Sequence, residues 1–423
     1  MVSRPNETDT FCILPYNSIS IDSFGTIRPC CNFNSQHEDF NEKFLNIADI
    51  RNPKDAINGI VHTRLRADVE NNTRHKFCDR CWMLEDGGSD SYRTSFNEIF
   101  KSGLDWGDIA SAGLSQMNRL EYWDKINCFP DQKIEYLELV LGNKCNIKCR
   151  MCNPWASSLW LDDIKKHSEL EYSGEDMSRF NFEYYNTPQF KKFFNHTLPT
   201  LRRINLLGGE PLIINKYYEI LQEIISSKRA DKVSLQFNTN LLLLQDKNFD
   251  LWKKFKHVTV NLSCDGINEL NDYIRYPCKW SKWIRNLEKI ISWKKELGSN
   301  LYLSIHSTLS SLSYLHMDEI YKWLQTTDIE IKMPFVIYVN QPTYMDPIHL
   351  PDEIKQEGLK RQLAVLDNLD IDSSSIRSLL TFVTNNPRDE KQWQEFIFRT
   401  KQLDTLRNQN ILDYIPEFTK EFK

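Results

Sequence analysis

From residue 133 the chain alternates short apolar runs with longer stretches whose apolar residues recur every three or four positions. The short runs are 133–141 (KIEYLELVL), 201–207 (LRRINLL), 232–238 (KVSLQFN), 257–263 (HVTVNLS), 300–307 (NLYLSIHS) and 329–339 (IEIKMPFVIYV). Rich in Val, Ile, Leu and aromatics, they predict strands. The intervening pattern predicts helices, for example over 216–229 and 280–298; in the second, Ile284, Leu287, Ile291 and Trp293 form the apolar stripe and Gly298 a natural stop. Six such units predict an α/β fold with a parallel sheet and right-handed crossovers, either doubly wound or curled into a partial (β/α)6 TIM-like barrel.

Residues 1–125 lack this rhythm and carry cysteine pairs and turn signals such as Phe24-Gly25 and Gly87-Gly88-Ser89, the pattern of a small metal-organised domain. The barrel is expected over 126–345. Residues 346–423 turn polar with helical periodicity and predict a helical C-terminal extension packed on the barrel. Hydrophobic residues make up 40% and charged residues 26% of the 423, an ordinary globular composition. The net charge of -5 gives no basic field of the kind that tracks a nucleic-acid backbone. The N-terminus has no long apolar run and no window approaches a membrane span, so a cytoplasmic protein with no membrane partner is expected.

The eleven cysteines then change the picture, because most fall into two groups. Cys145, Cys149 and Cys152 follow the first strand of the βα series at a Cys-x3-Cys-x2-Cys spacing, on the edge where parallel α/β folds bind ligands. Structural zinc takes four protein ligands, whereas a four-iron cluster held by three thiolates keeps one iron open for another molecule. Cys12, Cys30, Cys78 and Cys81, with Cys31 as a spare beside Cys30, make a second set that suits either a tetrahedral zinc or a fully ligated iron–sulfur cluster. Cys128, Cys264 and Cys278 read as buried apolar side chains.

The three-cysteine loop resembles the signature of the radical S-adenosylmethionine (radical SAM) enzymes. That resemblance implies a [4Fe-4S] cluster on Cys145, Cys149 and Cys152, with the amino and carboxylate groups of S-adenosylmethionine on the open iron. An electron from the cluster then cleaves the sulfonium, and the 5′-deoxyadenosyl radical abstracts a substrate hydrogen. Gly208-Gly209-Glu210-Pro211, after the second strand of the series, resembles the family's GGEP motif, which binds the cofactor's amino group. By the same resemblance Met151 packs on the adenine, and its other reading is a core methionine. Asn238, Asn240, Ser263 and Asp265 bind the ribose and methionyl groups or simply end their strands, and Arg275 in YIRYP pairs with the carboxylate. Lys148 and Arg150 are expected to be solvated. No protein side chain is singled out as catalytic beyond cluster and cofactor.

Gly25-x4-Cys30, Cys78-x2-Cys81 and the LEDGGSDSYR segment (84–93) resemble the twitch domain, the short form of the SPASM domain, which holds an auxiliary [4Fe-4S] or [2Fe-2S] cluster. Here the segment precedes the barrel, while the best-known such domains follow it. The resemblance implies a flavodoxin- or ferredoxin-type electron donor and a peptide or protein substrate. The alternatives are oxidation or rearrangement of a small sugar-like alcohol or nucleotide, and a non-catalytic zinc or electron-transfer protein.

Overall fold

The computed structural model describes residues 10–34, 44–86, 90–102, 133–170, 183–327, 329–331, 333–339 and 341–422. Among the described residues eight strands form one sheet: β1 (Ser18–Ile21), β2 (Ile27–Arg28), β3 (Tyr136–Val140), β4 (Arg203–Leu207), β5 (Ser234–Thr239), β6 (His257–Ser263), β7 (Leu301–Leu309) and β8 (Phe335–Tyr338). Their order is β2-β1-β3-β4-β5-β6-β7-β8, and every neighbouring pair is parallel except β1 with β2. All six expected runs therefore contain strands, in sequence order across the sheet, an arrangement consistent with a partial TIM barrel. Strands β3 to β6 are buried along most of their length, as a parallel sheet covered on both faces requires.

The apolar periodicities become helices that cover this sheet. Residues Asn215–Ser226 bury Tyr217, Ile220, Leu221 and Ile224, and residues Trp280–Leu297 bury Trp283, Leu287, Ile290 and Trp293. The second stripe is thus one step round from expectation, with Ile284 and Ile291 half-buried at its margin. Tryptophans decide the register there: the Trp280 and Trp283 rings stack at 5.0 Å and both meet Trp323.

The sheet also holds strands that hydrophobic patterning passed over. The run Ser18–Ile21 is only four residues long and half polar, yet it is fully buried and pairs in parallel with β3. Its serines face a buried polar layer. Glu138 of β3 lies opposite Ser20 and Asn205, and accepts from Ser20 Oγ (2.8 Å), Asn205 Nδ2 (3.1 Å), Tyr136 OH (3.2 Å) and Tyr92 OH (3.4 Å). Two of the eight strands therefore lie before residue 125, and that position itself falls in 103–132, outside the described residues.

Helices Asp352–Leu366, Ser374–Asn385 and Glu390–Arg407 follow the last strand. Tyr314 OH donates to Lys355 O (2.9 Å) and Gln362 Nε2 donates back to Tyr314 O (2.8 Å), fixing the first helix to the loop after β7. Among the described residues no helix is long and apolar enough to cross a membrane.

Candidate functional site

Strand β3 delivers the chain to Leu141, and the cysteine loop then folds over the carboxyl edge of the sheet. The turn after β4 supports it directly. Leu141 N donates to Leu207 O (2.8 Å) and Glu210 N to Lys144 O (2.9 Å), so the Gly208-Gly209 backbone lies against the cysteine loop. Gly208 has φ +103, and a Cβ on Gly209 would sit 2.0 Å from Lys144 O. Only glycine permits that approach. On its other side the loop pairs with 274–276, Lys148 N donating to Tyr276 O (2.7 Å) and Arg150 N to Ile274 O (2.8 Å). Trp160 Nε1 donates to Cys149 O (3.2 Å) and Ser157 Oγ to Ile147 O (2.6 Å), which leaves the loop backbone little freedom.

A cavity of about 760 Å³ opens on this loop. Cys145, Cys149, Cys152, Gly208, Gly209, Glu210, Asn238, Asn240, Ser263 and Arg275 all line it, from five separate chain segments. Two expected site residues do not. Met151 is 8% exposed and packs into the main core, and Asp265 is buried behind Arg275, whose Nη1 it meets at 2.5 Å while also accepting from Thr308 N (2.6 Å).

The electrostatics divide the three thiols, favouring the thiolate at Cys149 alone. Cys149 is held down to about 7, first by its hydrogen bond with Cys152, with Arg275 and Arg407 adding positive potential against the effect of burial. Cys152, its partner, is pushed up, and burial pushes Cys145 up to about 12. Glu210 is 1% exposed and accepts from Asn240 N (2.7 Å), Thr239 Oγ1 (2.8 Å) and Leu212 N (3.1 Å). Burial raises it to about 7 against those hydrogen bonds, so a bound ammonium group would favour its ionised form. Asn240 Nδ2 donates to Asn146 Oδ1 (2.7 Å), tying β5 to the cysteine loop, and Asn238 accepts from Asn261 Nδ2 (2.7 Å). Arg275 keeps a buried Nε without a partner among the described residues while lining the cavity, an orphaned donor that fits a carboxylate ligand.

Sequence reasoning missed the brace behind the loop. Arg150 is not solvated: it is fully buried, its guanidinium lies 3.7 Å over the Tyr273 ring, and its Nη2 meets Asp404 Oδ1 (2.6 Å) and Gln409 Oε1 (2.9 Å). Lys148 pairs with the buried carboxylate of Asp163, which also holds Arg407 at 3.0 Å. The helix Glu390–Arg407 thereby clamps the cysteine loop across more than 250 residues of chain. No local pattern announces Asp404 as Arg150's partner.

The second thiol set also comes together. Cys12, Cys30, Cys78 and Cys81 line one small apolar pocket with Leu65, Val69 and Trp82. Burial pushes Cys12 up to about 12 and raises the other three as well, so metal binding there would release protons. Arg93, paired with Glu85 at 2.5 Å and lying over Trp82, sits beside them. Cys31 turns away from this pocket and lines the large cavity. Among the described residues no three His, Cys, Asp or Glu side chains converge closely enough to hold a single metal ion. Cys264 and Cys278 are buried, and Cys128 lies outside the described residues.

Comparison with known proteins agrees on the class. Residues 139–303, from β3 into β7, match the model of the Radical SAM superfamily. The chain thus carries a radical SAM domain over those residues. It is 28% identical over 181 residues to the radical SAM cyclopropyl synthase TigE of Paramaledivibacter caminithermalis, covering 42% of this chain and 36% of that protein. It is 26% identical over 140 residues to the GTP 3',8-cyclase of Clostridium botulinum, covering 33% of this chain and 37% of that one. The chain thus spans little more than a third of the length of these curated relatives. Among solved structures, native anSMEcpe with bound AdoMet aligns at a TM-score of 0.38 and 18% identity, over 60% of this chain and 63% of that one.

Proposed function

We propose that the protein is a radical SAM enzyme that modifies a peptide or protein substrate held in the cavity beside the cysteine loop. The observation that carries this is the convergence of three thiols, a glycine-built turn, a buried carboxylate and an orphaned arginine donor on one cavity. Cys145, Cys149 and Cys152 would hold a [4Fe-4S] cluster, and S-adenosylmethionine would lie along the sheet edge. Such a cluster, held by these three thiols, would supply an electron for reductive cleavage of S-adenosylmethionine and so hydrogen-atom abstraction from the substrate.

The chain's own residues position these groups. Glu210, whose three donors fix its carboxylate, would accept from the cofactor's ammonium. Arg275, held in place by Asp265, would donate through its free Nε to the carboxylate. Asn238, Asn240 and Ser263 offer hydrogen-bonding groups to the ribose and methionyl part. Asp265 acts on the site through Arg275, and Met151 supports the loop from the core. Cys12, Cys30, Cys78 and Cys81 would hold an auxiliary iron–sulfur cluster with complete protein ligation, a twitch-like arrangement on the N-terminal side of the barrel. A flavodoxin- or ferredoxin-type protein would supply the electrons.

The peptide reading rests on the twitch-like spacing of the second thiol set. The similarity to GTP 3',8-cyclases favours a second reading, a nucleotide or other small molecule as substrate. The test of the enzyme assignment is anaerobic reconstitution with iron and sulfide, followed by S-adenosylmethionine and dithionite. The wild-type chain should release 5′-deoxyadenosine and Cys149→Ala should not. Reconstituted wild-type protein that forms the cluster and releases none would refute it.

A further inference from the structure

The wall of the large cavity opposite the cysteine loop comes from the N-terminal segment, and the assignments above leave its residues without a role. Asp22, Phe24, Arg28 and Phe33 line it, joined by Arg80 from the helix Asp79–Asp86, and Trp155 closes the gap to the cysteine loop by meeting Phe24 edge-on at 6.0 Å. This wall therefore adds two guanidinium groups to the cavity that Arg275 and the three thiols line from the other elements. Arg28 is only loosely satisfied: Nη2 lies 3.6 Å from Asp22 Oδ2, and its buried Nε has no partner among the described residues. The Arg80 side chain has neither a hydrogen bond nor an ion pair among the described residues.

One buried arginine donor left open and a second, half-buried guanidinium beside it, in a cavity lined by aromatic rings, ask for an anion with an apolar neighbour. Charge decides which anion. Two guanidinium groups less the Asp22 carboxylate leave a single positive charge, which matches a monoanion, and Asp22 would repel a phosphate chain. We propose that this wall is the substrate subsite, and that Arg28 and Arg80 hold the carboxylate of an acidic peptide side chain while the aromatic rings receive its neighbours. The proposal rests on the radical SAM reading of the same cavity and names the class of group recognised there.

The test uses the full-length, reconstituted protein with S-adenosylmethionine present, titrated calorimetrically with two capped tripeptides, Phe-Asp-Phe and Phe-Asn-Phe, and with GDP. A charge-assisted contact predicts that the aspartyl peptide binds about 10- to 100-fold more tightly than its asparaginyl twin. Arg28→Met and Arg80→Met should each cut that preference to about 2-fold, and Arg28→Lys, which keeps the charge, should retain part of it. Melting curves of each variant identify those that fold. Equal binding of the two peptides, or a preference that survives both methionine variants, would overturn the proposal. So would arginine-dependent binding of GDP with no aspartyl preference. Formation of 5′-deoxyadenosine by the wild-type protein reads the enzyme assignment separately, so either conclusion can fail alone.

Discussion

Replacing Asp404 by alanine should loosen the cysteine loop from a distance. Asp404 Oδ1 accepts from Arg150 Nη2 (2.6 Å) and Tyr273 OH (2.9 Å), and Oδ2 accepts from Ile411 N (2.7 Å). Removing one member of a buried ion pair costs about 3–5 kcal/mol, since the remaining charge stays desolvated. Arg150 would keep Gln409, the Tyr273 carbonyl (3.1 Å) and the Tyr273 ring, which puts the charge term at the low end. Two further buried donors lose their acceptor at about 1 kcal/mol each, giving about 4–5 kcal/mol in all. The readout is the urea midpoint at unchanged slope, together with iron bound per chain after reconstitution; both should fall. Removing both charges, as in Arg150→Met with Asp404→Leu, should return most of the stability and yield a coupling energy above about 2 kcal/mol in the double-mutant cycle. A loss below about 1 kcal/mol for Asp404→Ala, or additive single variants, would refute the brace.

Three other outcomes follow from the geometry. Gly209→Ala places a methyl group 2.0 Å from Lys144 O and should cost about 1–3 kcal/mol by displacing the cysteine loop, visible as a lower melting temperature and reduced iron uptake. Glu210→Gln loses the charge and sets its NH2 against one of the two backbone donors, which bond different carboxylate oxygens, so S-adenosylmethionine binding measured by calorimetry should weaken about 10- to 100-fold and the melting temperature should fall. His62 is buried, with Nε2 3.4 Å from Ser18 O, and burial lowers it from about 6.5 to about 3. Between those values the unfolded chain binds the extra proton, so stability should fall as pH drops below about 6.5, by about 2 kcal/mol between pH 7 and pH 5, and His62→Gln should flatten that slope in urea titrations.

The sheet was legible because each strand from β3 to β8 carries its own apolar run, and the thiols were legible because spacing in sequence survives as spacing in a loop. Strands β1 and β2 were not. Ser20 looks like a loop residue until Glu138 supplies the buried polar partner that makes it a strand residue. Arg150 was misjudged for the same reason: a charge is read as solvated unless its counter-charge is known, and Asp404 lies 254 positions away. Met151 went to the core because the short loop from Cys149 to Cys152 turns the intervening side chains away from the cavity that the thiols face. Arg28 and Arg80 carry no signal in the sequence because they come to one cavity only in the folded chain.

A cluster held by Cys145, Cys149 and Cys152 alone, as proposed, would leave one iron open for S-adenosylmethionine. Electron paramagnetic resonance of the anaerobically reduced, reconstituted protein tests it, using Cys12→Ala with Cys78→Ala to silence the second thiol set. The expected result is a cluster signal that shifts when S-adenosylmethionine is added and a shift that weakens in Glu210→Gln. A cluster signal unchanged by the cofactor, or metal analysis that finds zinc on Cys145, Cys149 and Cys152, would contradict it.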